Sequence, residues 1–148
     1  MKYLFSLMLI TTIAMASCAQ DIPSSKVPSV VQNAVQIKYP AGSKIEWEKK
    51  NDMYEAEFSV NKVEHTVLID AAGKLIHVKT EVAENEVPSA ILAAIKRDHA
   101  DYKIDEIEKI DKNGMISYEV ELEKKGEKDK KLIFSPDGNQ LQNSTSLK

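Results

Sequence analysis

Hydrophobic positions along the chain change their spacing several times, and each change predicts an element. Val27, Val30, Val31 and Ala34 fall at i, i+3, i+4 and i+7, with Val35 widening the stripe, which predicts one buried helix face. Pro28 suits the first turn of that helix, where no backbone N–H is needed. Tyr39-Pro40 ends it, because a residue before proline avoids the α region. The spacing then becomes two. Ile45 and Trp47 alternate with Lys44, Glu46 and Glu48, and Tyr54, Ala56, Phe58 and Val60 alternate with Glu55, Glu57 and Ser59. That alternation predicts strands with one dry face and one wet face. Residues 63–70 and 74–80 flank Ala71-Ala72-Gly73 and read as a hairpin. With Asp70 opposite Lys74, His65 is expected opposite Lys79, and His77 opposite Val67.

The same order of signals then returns. Val27-Pro28-Ser29 recurs as Val87-Pro88-Ser89, 60 residues on. Tyr54-Glu55-Ala56-Glu57-Phe58 recurs as Tyr118-Glu119-Val120-Glu121-Leu122 after 64 residues, and Gly73 as Gly138 after 65. Val87, Ile91, Ala94 and Ile95 form the second helical stripe, and Ile116, Tyr118, Val120 and Leu122 the second alternating strand. The expected fold class is α+β, with two tandem repeats. Each repeat is one helix followed by about four antiparallel strands, with the helices packed on one face of the sheet and the other face wet. A single copy of some 60 residues would bury only about 60% of its surface, so the two copies should fold together. The chain divides into a leader (1–17), a tether (18–26), a first repeat (27–82), a second repeat (83–142) and a frayed tail (143–148).

These signals resemble a known family. The repeated Val-Pro-Ser helix start, the helix ending in Tyr39-Pro40, the strand Ile45-Glu46-Trp47-Glu48, the Tyr-Glu-x-Glu strand and the turn Asp70-Ala71-Ala72-Gly73-Lys74 are similar to those of the PepSY-like proteins of the bacterial envelope. Those proteins share the architecture of the β-lactamase-inhibitor proteins. The resemblance covers nearly all of residues 24–142. It implies exported helix-plus-sheet modules, brings no catalytic residues with it, and points to a protein-binding or inhibitory role by architecture alone.

The first residues belong to export. Lys2 is the only charge before Asp21, Leu4 to Ile13 is mostly apolar, and Ala14, Ala16, Ser17 and Ala19 are small. This is the pattern of a secretory signal peptide, and its apolar run is shorter than the roughly 20 residues needed to span a bilayer. Three cuts are open. Met15-Ala16-Ser17-Cys18 resembles a lipobox, in which a diacylglyceryl group is attached to the cysteine and cleavage falls just before it. A cut after Ala19 would discard Cys18, the only cysteine, and a cut after Ala16 would leave it free. The expected location is the periplasm, or the outer membrane as a lipoprotein with Cys18 as the attachment site. Any membrane contact would then be through that anchor.

Composition narrows the function further. The 148 residues carry 20 Lys+Arg and 23 Asp+Glu, a formal charge of -3. That sign argues against a nucleic-acid partner. One cysteine permits neither an intramolecular disulfide nor an all-cysteine metal site. No Gly-x-Ser-x-Gly elbow and no Gly-rich phosphate loop is present. No enzyme activity, catalytic residue, cofactor or metal site is expected, and His65, His77 and His99 read as ordinary strand and loop residues. Glu55 and Glu57 share one side of a strand, as do Glu119 and Glu121 on its counterpart. They form a candidate acidic interaction face, with Lys44, Lys49, Lys124 and Lys130 placed to offset it. Trp47 is either an exposed anchor beside that face or a core residue. The expected function is a non-enzymatic binding module for an unknown protein or peptide. The alternative is a periplasmic carrier of a small ligand or cation.

Overall fold

In a computed structural model, residues 19–143 are described; the expected leader, Cys18 and residues 144–148 lie outside them. Nine antiparallel strands form one sheet in chain order, β1 to β9. They are β1 (Ala19–Asp21), β2 (Glu46–Lys50), β3 (Met53–Val60), β4 (Val63–Asp70), β5 (Leu75–Glu81), β6 (Lys103–Lys112), β7 (Met115–Glu123), β8 (Lys130–Phe134) and β9 (Gln140–Asn143). Helix α1 (Ser29–Lys38) precedes β2, and α2 (Ser89–Asp98) precedes β6. Both helices have ten residues and follow a proline. Each ends when the next N–H bonds back into the helix, Tyr39 to the Val35 carbonyl at 2.8 Å and His99 to the Ile95 carbonyl at 2.7 Å. The second helix therefore stops in step with the first although it lacks the Tyr-Pro signal.

The fold class and the repeat agree with the sequence, and the two repeats extend one sheet while keeping separate cores. Val27, Val31 and Val35 pack with Trp47, Ala56, Phe58, Val67, Ile69 and Val78. Val87, Ile91, Ala94 and Ile95 pack with Ile107, Tyr118, Val120, Leu122, Leu132 and Phe134. Both helical stripes thus lie on the same face of the sheet. Val30 departs from its expected place: it is 47% exposed and lies over the β4–β5 turn, where a Cβ added to Gly73 would come within 3.0 Å of it.

Three local expectations change. Residues 19–26, read as part of a tether, are built into the fold: β1 pairs with β2, and Ser24–Lys26 forms a 3-10 turn. The β4–β5 hairpin runs one residue out of the expected register, with His65 opposite Thr80 and Leu68 opposite His77. A bulge between Leu68 and Ile69 absorbs the difference before the turn. Asn143, expected to fray, is the last residue of β9.

Candidate functional site

Strand register decides which charges share a surface. Glu46 stands opposite Glu57, and Glu48 opposite Glu55, so four carboxylates form a two-by-two block on the helix-free face of β2 and β3. Asp21 joins them from β1, opposite Glu48. The Lys50 ammonium answers part of this charge, 2.5 Å from Glu55 and 3.6 Å from Glu48. Lys44 reaches Glu46 at 3.7 Å in a fully solvated pair, which adds little. Among the described residues no ion pair reaches Glu57. Burial raises its pKa above the ordinary carboxylate value, and the charges of Glu64, Glu46, Glu55 and Glu48 raise it further.

A recess of about 380 Å³ opens beside this block. It exists because β1 leaves β2 early. The Ile22 N–H still bonds to the Trp47 carbonyl at 2.9 Å, but the next residue, Pro23, has no N–H to give. The chain then turns away into Ser24–Lys26. Ile22, Ile45 and Trp47 supply apolar wall, and Asp21, Glu46, Glu48, Glu55 and Glu57 supply the charge. Apolar lining beside several carboxylates suits a cation carried on an aliphatic stem.

The residues singled out from the sequence do not form one surface. Glu55 and Glu57 belong to the block on β3. Glu119 and Glu121 point to the same face but from β7, four strands away, or about 19 Å at the usual strand spacing. They are already engaged. Glu119 is only 5% exposed and lies 3.1 Å from the Lys79 ammonium. Glu121 pairs with Lys131 at 2.7 Å. Neither offers a free carboxylate for recognition. Trp47 is 5% exposed and packs under α1, so it is a core residue that also lines the recess, not an exposed anchor. The offsetting lysines also differ from those expected. Lys124 serves Glu127 and Asp101, Lys130 lies 4.2 Å above the Tyr102 ring, and Lys49 sits opposite Tyr54 on the other face.

Nor is the helix-free face wet throughout. Ile110 and Ile133 are buried there, Ile110 opposite Lys79 and Ile133 opposite Glu119. Lys79 binds Glu108 at 2.8 Å as well as Glu119, which ties the last strand of the first repeat to two strands of the second. Among the described residues no three His, Cys, Asp or Glu converge as a metal-binding group. Glu46, Glu48 and Asp21 were the site residues that alternation alone did not single out. For Glu46 and Glu48 the sequence signal was present in Glu46-Trp47-Glu48, but only the two-residue turn at Asn51-Asp52 sets them opposite Glu57 and Glu55, and Asp21 joins them through the pairing of β1 with β2.

The class of protein follows from the fold and from comparison with known proteins. Residues 14–77 and 77–142 each match the family described as "Putative beta-lactamase-inhibitor-like, PepSY-like", and the chain belongs to that family. Its fold is also that of solved Bacteroides proteins. One, from Bacteroides eggerthii and described as a "putative periplasmic" protein, has a TM-score of 0.74 at 20% identity, over 80% of this chain and 88% of the other. A DUF2874 family protein from Bacteroides uniformis has a TM-score of 0.71 at 20% identity, over 82% and 92% of the two chains. A BLIP-like protein from Bacteroides fragilis has a TM-score of 0.65 at 25% identity, over 79% and 84%. No curated protein matches the chain.

Proposed function

We propose that this chain is an exported, non-enzymatic binding module of the bacterial envelope that takes a basic protein or peptide at the β2–β3 edge. The observation that carries this reading is the charge imbalance around one recess. Asp21, Glu46, Glu48, Glu55 and Glu57 line it, and Lys50 and the solvated Lys44 are the cations paired with them. Export is supported by the leader pattern and by the "putative periplasmic" description of a structural neighbour. Inhibition of an enzyme is one form such binding could take in this family, and the recess accounts for capture without assigning a target.

The test is capture from cross-linked envelope extract with the mature chain as bait, beside a variant carrying Glu46→Lys, Glu48→Lys, Glu55→Lys and Glu57→Lys. A basic partner retained by the parent and lost by the variant supports the reading. A partner that binds both equally places recognition elsewhere. Calorimetry with a lysine-rich peptide and with a small organic diamine separates a peptide-binding module from a carrier of small cations.

A further inference from the structure

We propose that the peptidase removing the leader cuts ahead of Cys18 and not after Ala19, so that the mature chain keeps the whole of β1. The proposal rests on the reading of residues 1–17 as an export leader, and it excludes one of the three cuts that the sequence leaves open.

Repeat symmetry carries the argument. Asp21 stands opposite Glu48 as Glu81 stands opposite Glu108, each residue sixty positions from its counterpart. The Ile22 N–H bonds to the Trp47 carbonyl at 2.9 Å, and the Val82 N–H to the Ile107 carbonyl at 2.9 Å, again sixty positions on. The 3-10 turns Ser24–Lys26 and Glu84–Glu86 follow in both copies. β1 therefore does for the first repeat what the end of β5 does for the second: it closes the outer edge of the next strand and delivers the chain into the helix. Ala19 holds the position of Lys79, which lies well inside the ladder opposite Ile110.

The ladder also shows where this strand begins to matter. Ala19 pairs with Lys50, the last residue of β2, and Asn51 then turns with a φ of 55°. Hydrolysis after Ala19 would remove that pair and leave a charged amine on Gln20, inside what remains of β1. Hydrolysis after Ala16 or after Ser17 frees its new amine ahead of the ladder. Water is the only co-reactant in each case, giving a carboxylate on the leader and an amine on the mature chain.

The test is to express the full chain with its own leader in a Gram-negative host and map the N-terminal peptide of the processed protein by mass. A start at Ser17 or Cys18, with or without an acyl mass on the cysteine, is the expected result. A start at Ala19 or Gln20 overturns the proposal. A chain that keeps Met1 overturns the export reading itself, which is a separate failure. Purified chains beginning at Cys18 and at Gln20 supply the structural control. The shorter one should melt at least about 2 °C lower, and equal melting would remove the basis of the argument.

Discussion

The ammonium of Lys79, on the last strand of the first repeat, lies 3.1 Å from the carboxylate of Glu119, two strands into the second. Glu108 lies between them in the sheet, 2.8 Å from the same ammonium and directly opposite Glu119. Burial pulls the Lys79 pKa down, but the hydrogen bonds and charges of Glu108 and Glu119 outweigh it and hold the group above its ordinary value. A pKa raised in the fold means that this stabilisation is complete below the unfolded value and is lost as alkaline pH passes the folded one. Lys79→Met should therefore leave two opposed, poorly hydrated carboxylates and cost about 3 kcal/mol at pH 7. Urea unfolding checks this. Adding Glu108→Gln and Glu119→Gln to the variant should recover much of the loss, because the cost lies in the two carboxylates that lose this cation.

The same lysine should be visible at His77. Burial lowers the pKa of this imidazole, and the positive charge of Lys79 lowers it further. The ring is therefore neutral at pH 7, and its contribution to stability is lost as pH falls through its folded pKa. In an NMR titration, His77 should change charge below 6.5, its unperturbed value. Lys79→Met should move its midpoint upward, whereas a midpoint unchanged in the variant would contradict the electrostatic link. His65, lowered by burial and 3.1 Å from the Thr80 hydroxyl, serves as the internal control and should not move.

Much of this fold was legible in period and punctuation. The 3.6-residue stripes named the buried side of both helices, and Val-Pro-Ser marked both helix starts. What escaped had a physical reason in each case. β1 is three residues long, too short for alternation to register, and it is recognisable only by its symmetry with β5. The β4–β5 register depends on a bulge at Leu68/Ile69 that no residue type announces. Glu119 alternates like a solvated residue, yet it is buried because Lys79 reaches it from two strands away. The acidic face read from Glu55, Glu57, Glu119 and Glu121 therefore divides into a block with unanswered charge and a neutralised junction between the repeats.

Two glycines hold the turns against the helices, and a graded series of substitutions would show it. At Gly138 an added Cβ would lie 2.6 Å from the Ala90 carbonyl oxygen, at a φ of 83°. At Gly73 it would lie 3.0 Å from the Val30 carbonyl oxygen, at a φ of 85°. At Gly114, with φ of 86°, nothing lies within 4 Å. Alanine at Gly114 should cost only the left-handed strain, about 1 kcal/mol. Gly73→Ala should cost more, and Gly138→Ala the most, on the order of 3 kcal/mol, since the backbone of α2 would have to shift. Thermal unfolding of the three variants tests the ranking. Equal losses would show that the turns do not bear on the helices.

Glu57 connects stability with binding. Its pKa is raised by burial first and by the surrounding Glu64, Glu46, Glu55 and Glu48 after that. The folded state therefore takes up this proton at a higher pH than the unfolded chain. Stability should rise as pH falls through the folded pKa of Glu57 toward 4.5, its unperturbed value. Glu57→Gln removes the repulsion at pH 7, so it should raise the neutral melting temperature and flatten the dependence on mildly acidic pH. A cation seated in the recess favours the charged carboxylate and must lower the same pKa. A lysine-rich peptide should thus shift the Glu57 side-chain carbon titration to lower pH, and its affinity should weaken on acidification through that range and with added salt. A Glu57 titration that the bound peptide leaves in place would put the binding site away from the β2–β3 edge.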